Sequence, residues 1–190
     1  MPTKQQLRKI YLAKRQQLSP EEYAELNRQL LTEFQQLDFT GIKYLHCYLP
    51  ILSKKEPDTR LLLNWLKVTR PDIKIVYPQT DFADHSMRHF ADDADLVLAE
   101  NMLGITEPIA GNMVDVSNID MAVVPLLAFD KRGFRVGYGK GFYDRFMAQC
   151  KPGAHFIGLS FFGPEEKIED IDGYDKPLHQ CITPDQLYLF

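Results

Sequence analysis

Apolar residues recur at helical spacing at the start of the chain. The first set is Leu7, Ile10, Tyr11 and Leu18. The cationic residues around this set are Lys4, Arg8, Lys9, Lys14 and Arg15. Ser19, Pro20 and Glu22 then predict the start of a second helix, because serine caps, proline suits the first helical position and glutamate completes a capping box. The predicted buried stripe of this second helix is Leu26, Leu30, Phe34 and Leu37.

Short apolar runs and helical segments alternate after residue 40. The predicted strands are "KYLHCYLP", "DIKIVYP", "MRHF", "HFIGLSF" and "QLYLF". The predicted helices are "DTRLLLNWLKV", with Asp58 as its cap, and "GFYDRFMAQC", whereas "LVLAENMLGI" fits either type. Residues 121–129 are almost all apolar, which is typical of a strand covered on both faces in a parallel sheet. This alternation predicts an α/β fold with a mainly parallel sheet, as a single domain over residues 1–190.

Composition narrows the classes of function. With 190 residues and a net charge of −4, the chain has no overall basic field to hold nucleic acid or an anionic membrane. No apolar run reaches spanning length, and the basic N-terminus lacks the apolar segment of a signal peptide. The three widely spaced cysteines, Cys47, Cys150 and Cys181, favour reduced thiols. The sequence therefore predicts a cytoplasmic protein without nucleic-acid or membrane partners, whose anion sites are local clusters of cations.

The candidate chemistry lies in the glycine-rich segment "FDKRGFRVGYGKGFYDRF", residues 129–146. This segment follows the most apolar predicted strand and precedes a helix, where open parallel sheets bind their ligands. Its spacing fits neither a Walker loop nor a Rossmann fingerprint. Its glycines let backbone N–H groups approach phosphate oxygens, Lys140 can neutralise them, and Asp144 can hold Mg²⁺. The glycines alone would fit a solvated turn, but Lys140, Tyr143 and Asp144 together favour a phosphate site.

A longer stretch, "VVPLLAFDKRGFRVGYGKGFYDRF", resembles the signature of the 5-formyltetrahydrofolate cyclo-ligase family, also called methenyltetrahydrofolate synthetases. Further segments resemble the other blocks of that family in the same order: "KQQLRK", "YLPILSKKEPDT", "MRHF", "NMLGITEP" and "YDKPLHQCITP". Tyr174 stands where the family often has histidine, and His179 where it often has aspartate. The resemblance covers nearly the whole chain and implies a three-layer α/β/α fold with N-terminal helices.

The resemblance also implies the reaction, in which ATP phosphorylates the formyl oxygen of 5-formyltetrahydrofolate and N10 closes the ring to give 5,10-methenyltetrahydrofolate. It assigns catalysis to Lys140, Arg135 and Tyr143. It assigns ATP to Lys4, Arg8, Arg135, Gly137, Gly139, Lys140, Gly141, Phe142 and Tyr143. It assigns the folate substrate to Ile51, Glu56 and Tyr138, and Mg²⁺ to Asp144 and Asp175. Without the resemblance, Lys4 and Arg8 fit a solvated helix face, and Glu56 fits an ordinary loop charge.

Two other functions stay open at this point. One is a binding module that keeps the nucleotide loop without turnover, and the other is a different small-molecule kinase. The histidines add little: His85 and His89 lack a third ligand and are expected on the surface or in loops, while His46 is expected to be partly buried with its hydrogen bonds made. The sequence does not define an oligomeric state, and a monomer is favoured.

Overall fold

The computed structural model describes residues 1–101 and 104–190. The helices in this part of the chain are α1 (Lys4–Gln17), α2 (Pro20–Phe34), α3 (Thr59–Thr69) and α4 (Phe142–Gln149). The strands are β1 (Tyr44–Cys47), β2 (Lys74–Thr80), β3 (Met87–Ala91), β4 (Val97–Glu100), β5 (Thr106–Ala110), β6 (Met121–Val124), β7 (Ala128–Phe129), β8 (Arg135–Val136), β9 (His155–Leu159), β10 (Gln180–Ile182) and β11 (Leu187–Leu189). Short 3₁₀ turns lie at Leu52–Lys54 and Val116–Asn118.

Across the described residues, the main sheet has seven strands in the order β11-β10-β9-β6-β1-β2-β3. All neighbours from β10 to β2 pair in parallel, and the edge strands β3 and β11 pair antiparallel. The strands β4 and β5 form a separate hairpin, as do β7 and β8. The predicted α/β fold with a mainly parallel sheet is therefore confirmed, although β10 was missed and β2 continues past Pro78.

Helices cover both faces of the central strand β6. Met121 and Val123 pack into one apolar cluster with residues of α2 and α3. Ala122 and Val124 pack into a second cluster with Phe146 of α4. The prediction of a strand buried on both faces is confirmed, but the strand is shorter than the apolar run, since the chain leaves the sheet at Pro125 and continues into the β7–β8 hairpin.

Both N-terminal helices begin at capping boxes, one at Thr3 and the predicted one at Ser19. The helix α1 packs against the β7–β8 hairpin through Leu7 and Tyr11, rather than against a face of the main sheet. Because of this packing, the buried face of α1 differs from the predicted one at two positions. Ile10 is 44% exposed, whereas Arg15 is only 1% exposed.

Two histidines are more deeply buried than the sequence indicated. His46 is 0% exposed and His89 is 4% exposed, so the expectation of a surface or loop position is wrong for His89. Their rings lie 5.3 Å apart, and both contact the ring of Phe146. Within residues 1–101 and 104–190, neither nitrogen of His46 has a hydrogen-bond partner, contrary to expectation. Burial lowers the pKa of both histidines from 6.5, that of His89 to about 4.

The run "LVLAENMLGI", which fitted either a helix or a strand, includes strand β4 of the separate β4–β5 hairpin. Val97–Glu100 of the ambiguous "LVLAENMLGI" run is strand β4, while residues 102 and 103 of that run lie outside the described residues. Among the described residues, no helix is both long and apolar enough to cross a membrane.

Candidate active site

A cleft of about 830 Å³ opens beyond the carboxyl ends of β1 and β6. Its walls come from the start of α1, the 48–56 segment, the bend between β8 and α4, the start of α4 and the 172–176 loop. Every residue that the sequence assigned to ATP, folate, Mg²⁺ or catalysis lines this one cleft. The structure thus brings together groups that are as far apart in the chain as Lys4 and Asp175, while their binding roles stay predictions.

The bend at residues 137–141 is shaped by two glycines in the left-handed region. Gly139 has a φ of 88°, and Gly141, at the N-cap of α4, has a φ of 68°. A Cβ on Gly139 would lie 3.1 Å from Cζ of Arg8, so its missing side chain admits the guanidinium. Arg8 Nε then donates to the carbonyl oxygen of Gly137 at 2.8 Å. Gly137 differs from the other two, because its φ is not positive and a Cβ there would meet no atom within 4 Å.

Lys140 presents a cation at the tip of this bend. Its side chain is exposed, and its ammonium has no hydrogen bond or ion pair with any other described residue. The backbone around it is held from α4, since Arg145 Nη2 donates to the carbonyl oxygen of Lys140 at 2.6 Å and Arg145 Nε donates to that of His85 at 3.1 Å. The result is a fixed backbone that carries a free positive charge.

Two ion pairs cross the floor of the cleft. Lys4 Nζ lies 2.5 Å from Asp175 Oδ2, and Arg135 Nη2 lies 2.9 Å from Asp144 Oδ1. Burial lowers the pKa of Arg135, and the charge of Asp144 opposes that effect. Each carboxylate also accepts a backbone N–H, from Lys176 to Asp144 and from Asp172 to Asp175. Lys4 and Arg135, two of the cations predicted for a magnesium nucleotide, are therefore neutralised by the two predicted acids.

Asp144 and Asp175 are the residues predicted to bind Mg²⁺, and their surroundings test whether they fit this role. No cluster of three or more metal-ligating side chains occurs in the described ranges. Among the described residues, Asp144 accepts hydrogen bonds only at Oδ1 and Asp175 only at Oδ2. Mg²⁺ commonly binds proteins through one or two carboxylates, with substrate phosphates and water completing its shell. The donor set fits a metal that arrives with a nucleotide, and does not fit a metal held by protein ligands alone.

Glu56 forms a buried acceptor in the cleft, next to the bend. It is 3% exposed, so it is not the solvated loop charge that its neighbourhood in sequence would indicate. Its Oε2 accepts the backbone N–H of Ile51 at 2.7 Å, and its Oε1 accepts the hydroxyl of Tyr138 at 2.6 Å. Burial raises the pKa of Glu56, and the two hydrogen bonds oppose that rise. Lys54 Nζ lies 4.5 Å from the centre of the Tyr138 ring, which places a further cation beside this wall.

Tyr143 lines the cleft from the first turn of α4. Its ring contacts the edges of His46 and Phe146 at 5.8 Å, and its hydroxyl is buried without a hydrogen-bond partner among the described residues. Burial raises the pKa of this hydroxyl well above its ordinary value. Tyr143 therefore offers the cleft its aromatic surface, and its role in catalysis stays a prediction.

Several lining residues were not singled out in the sequence. Glu107 Oε2 accepts both the backbone N–H and the hydroxyl of Thr80, at 3.0 and 2.9 Å. Phe82 packs edge-on against Phe142 with ring centres 5.2 Å apart. Glu107 lies in the "NMLGITEP" block. The sequence analysis identified this block, but it did not predict the contact of Glu107 with Thr80. The position of Phe82 depends on how the β2–β3 loop folds over α4, which no local pattern encodes.

The fold and the cleft define a class: an α/β protein that binds small molecules at the carboxyl end of a parallel sheet. One part of its cleft is the cationic glycine bend, and the other is the buried carboxylate of Glu56. Comparison with known proteins gives this class a family. Residues 1–182 match the 5-formyltetrahydrofolate cyclo-ligase family, so the chain belongs to that family and is an enzyme of the ligase class.

Individual relatives agree with this assignment along most of their length. The 5-formyltetrahydrofolate cyclo-ligase of Escherichia coli K12 is 27% identical over 92% of this chain and 97% of its own. That of Mycoplasma genitalium is 28% identical over 85% and 86%. Among solved structures, the 5,10-methenyltetrahydrofolate synthetase of Aquifex aeolicus is 28% identical with a TM-score of 0.80, covering 98% of this chain and 92% of its own. The synthetase from Mycoplasma pneumoniae is 26% identical with a TM-score of 0.73, covering 94% and 97%.

Proposed function

We propose that the enzyme converts 5-formyltetrahydrofolate to 5,10-methenyltetrahydrofolate with ATP, releasing ADP and phosphate. The single observation that carries this proposal is that one cleft is lined both by the glycine bend, residues 137–141 with Lys140, and by the 48–56 segment with Glu56. These two parts of the lining are called the glycine bend and the Glu56 wall below. One wall suits phosphates and the other suits a hydrogen-bonding heterocycle. The names of the relatives supply the identity of the substrate.

The Glu56 wall binds the folate. A buried carboxylate is an acceptor, and the pterin ring of the substrate carries adjacent N–H donors. Ile51 and Tyr138 hold Glu56 in a fixed orientation through its two oxygens, and Tyr138 also offers a ring face.

The glycine bend and the start of α1 bind the phosphates of ATP. Lys140 is free to meet the transferring phosphoryl group, while Lys4 and Arg135 are paired with Asp175 and Asp144. With MgATP bound, Lys4 and Arg135 would hold phosphate oxygens, and Asp144 and Asp175 would hold the metal. Mg²⁺ supplies charge neutralisation and alignment of the phosphates.

ATP is needed because the oxygen of the formyl group is a poor leaving group. The formyl group on N5 is an amide, whose oxygen does not depart by itself. The formyl oxygen attacks the γ-phosphorus, the bond to the bridging oxygen breaks, and ADP leaves. N10 then attacks the activated carbon and loses its proton, and the C–O bond breaks with its electrons on phosphate. The protein contributes positioning and charge, for which Lys140 and Arg135 are suited.

Substitution of Lys140 tests the proposal. Wild-type protein mixed with MgATP and 5-formyltetrahydrofolate should develop the near-ultraviolet band of the methenyl product. Lys140→Ala should reduce kcat by about 100-fold or more while folate binding persists. Lys167→Ala, an exposed lysine outside the cleft, is the matched control and should behave as wild type. Normal turnover by a folded Lys140→Ala protein would refute the role of this lysine.

The wild-type assay also separates the other functions. Folate and nucleotide binding without product would support a binding module. ADP release only with other acceptors would support a different kinase.

A further inference from the structure

Lys55 directly precedes Glu56 in the chain and has an unusual backbone. It ends the 3₁₀ turn with a φ of 45° and a ψ of 48°, which lie in the left-handed region. Of the described residues other than glycine, His85 alone shares a positive φ. A side chain disfavours this conformation, so a lysine that adopts it needs compensating contacts. The proposed chemistry does not use Lys55, and a strained backbone beside a binding residue points to a function.

The compensating contacts come from the end of α1. The ammonium of Lys55 donates to the carbonyl oxygen of Gln16 at 3.0 Å and also to that of Leu18. The last carbonyl groups of a helix have no partners within the helix and attract a cation, so this position suits lysine. Gln16 Nε2 donates in turn to the carbonyl oxygen of Ser53 at 3.0 Å. Hydrogen bonds in both directions therefore join the turn to α1.

These hydrogen bonds hold the turn from which Glu56 projects. The turn closes on itself, since the backbone N–H of Ile51 donates to Glu56 Oε2 at 2.7 Å. From α2, the hydroxyl of Tyr23 donates to the backbone carbonyl of Glu56 at 2.6 Å. Lys55 is not among the described residues that line the cleft, although Glu56 is. The side chain of Lys55 therefore acts on the cleft through the backbone that it shares with Glu56.

We propose that Lys55 is a positioning residue, which directs the Glu56 carboxylate toward the folate by joining the turn to the end of α1. Its left-handed backbone sets the direction in which the next residue enters the cleft, and its ammonium holds that backbone in place. This inference rests on the proposed function, because it assumes that Glu56 meets the folate. The alternative is that the contact with α1 only stabilises the fold.

Folate affinity distinguishes the two roles. Calorimetry would measure the dissociation constant of 5-formyltetrahydrofolate for wild type and Lys55→Met, and urea denaturation would measure the free energy of unfolding of both. We expect Lys55→Met to weaken folate binding by about 10-fold and to change the KM for ATP by less than about 2-fold. Lys55→Arg keeps a cation and should bind folate within about 3-fold of wild type. Lost stability with unchanged folate affinity would overturn the proposal.

The matched control changes another lysine of α1. Lys9 is exposed and lies outside the described lining of the cleft, so Lys9→Met should bind folate as wild type does. An equal loss in Lys9→Met and Lys55→Met would show a general effect of the removed charge, and would overturn the role of Lys55.

Lys55→Gly separates the backbone from the side chain. Glycine adopts a positive φ without strain, so this variant keeps the turn and loses only the ammonium. We expect it to bind folate about as weakly as Lys55→Met, and it replaces that variant if Lys55→Met does not fold. Folate binding at wild-type strength by Lys55→Gly would show that the ammonium is dispensable, which would contradict the proposal.

A double variant isolates the path through Glu56. In a Glu56→Ala background, Lys55→Met should change the dissociation constant by less than about 2-fold, because no carboxylate remains to be positioned. A loss as large as in the wild-type background would overturn the proposal. Wild-type protein that binds no 5-formyltetrahydrofolate would instead contradict the proposed function on which the role of Lys55 rests.

Discussion

At the scale of single residues, burial makes Glu56 a fixed hydrogen-bond acceptor and not a solvated charge. In the sequence it stands in "SKKEPD", a charged loop segment. In the fold it is closed in by Ile51, Tyr138 and the hydroxyl of Tyr23, which donates to its backbone carbonyl at 2.6 Å. The resemblance could assign Glu56 to the folate, but the local sequence could not predict its burial, because the covering groups come from α2 and from the bend some 80 residues away.

Replacing this carboxylate should weaken folate binding more than it weakens ATP binding. Glu56→Gln keeps the shape of the side chain but removes its charge, and a hydrogen bond to a charged group contributes about 1.5–3 kcal/mol. We expect the KM for 5-formyltetrahydrofolate to rise by about 10- to 100-fold, with that for ATP nearly unchanged. Steady-state kinetics check this, with the exposed residue Glu21 changed to Gln as the control. Equal effects on both substrates would contradict the assignment of Glu56 to the folate wall.

At the scale of elements, the glycine bend shows what a motif can and cannot predict. The spacing of Gly137, Gly139 and Gly141 marked a binding bend, but gave all three the same role. In the structure, Gly139 and Gly141 have positive φ, and Gly137 does not. The difference goes with tertiary contacts, since Gly139 faces Arg8 of α1 and Gly141 faces Arg145 of α4.

The glycines therefore should not be equally sensitive to alanine. Gly139→Ala places a side chain in the left-handed region, 3.1 Å from Arg8, and should lower the free energy of unfolding by about 1–2 kcal/mol. Gly137→Ala meets open space and should leave it unchanged, or raise it slightly, within about 1 kcal/mol. Urea denaturation of the two variants makes the comparison. The account of the bend fails if both lose the same stability.

Helix α1 shows the same limit in another way. Its capping and length follow from local chemistry, but the burial of Arg15 and the exposure of Ile10 depend on the β7–β8 hairpin against which it packs. A helical pattern identifies a face; it does not identify what that face meets. The α2 capping box and the β6 strand were predictable because serine, proline, glutamate and a continuous apolar run act locally.

At the scale of the whole molecule, the cleft is built by the parallel sheet, which brings the carboxyl ends of β1 and β6 together. The alternation of strands and helices predicted this sheet. Convergence of Lys4, Glu56 and Asp175 followed from the resemblance alone, since no local pattern relates positions so far apart. The burial of His89 and the complete burial of His46 were not foreseen, because they depend on Phe146 of α4 covering that face of the sheet.

These histidines should make the fold sensitive to mild acid. Burial holds their pKa values below 6.5, so between that value and the folded pKa, about 4 for His89, the unfolded chain binds more protons than the folded one. The free energy of unfolding therefore falls as the pH drops below 6.5, by at most about 1.4 kcal/mol per pH unit for each histidine.

Urea denaturation at several pH values between 7 and 5 measures this slope. His46→Leu should reduce it, whereas His85→Gln, in the loop before β3, should keep it. A wild-type slope that survives replacement of His46 would assign the acid sensitivity to other groups.

The central claim is that ATP activates the formyl oxygen within this cleft, and the fate of that oxygen tests it most directly. 5-Formyltetrahydrofolate carrying oxygen-18 in its formyl group would be converted with MgATP in unlabelled water. The isotope content of the released phosphate would then be measured by mass spectrometry. The account predicts that the label appears in inorganic phosphate, one atom for each methenyl product formed. Product formed with unlabelled phosphate would contradict it.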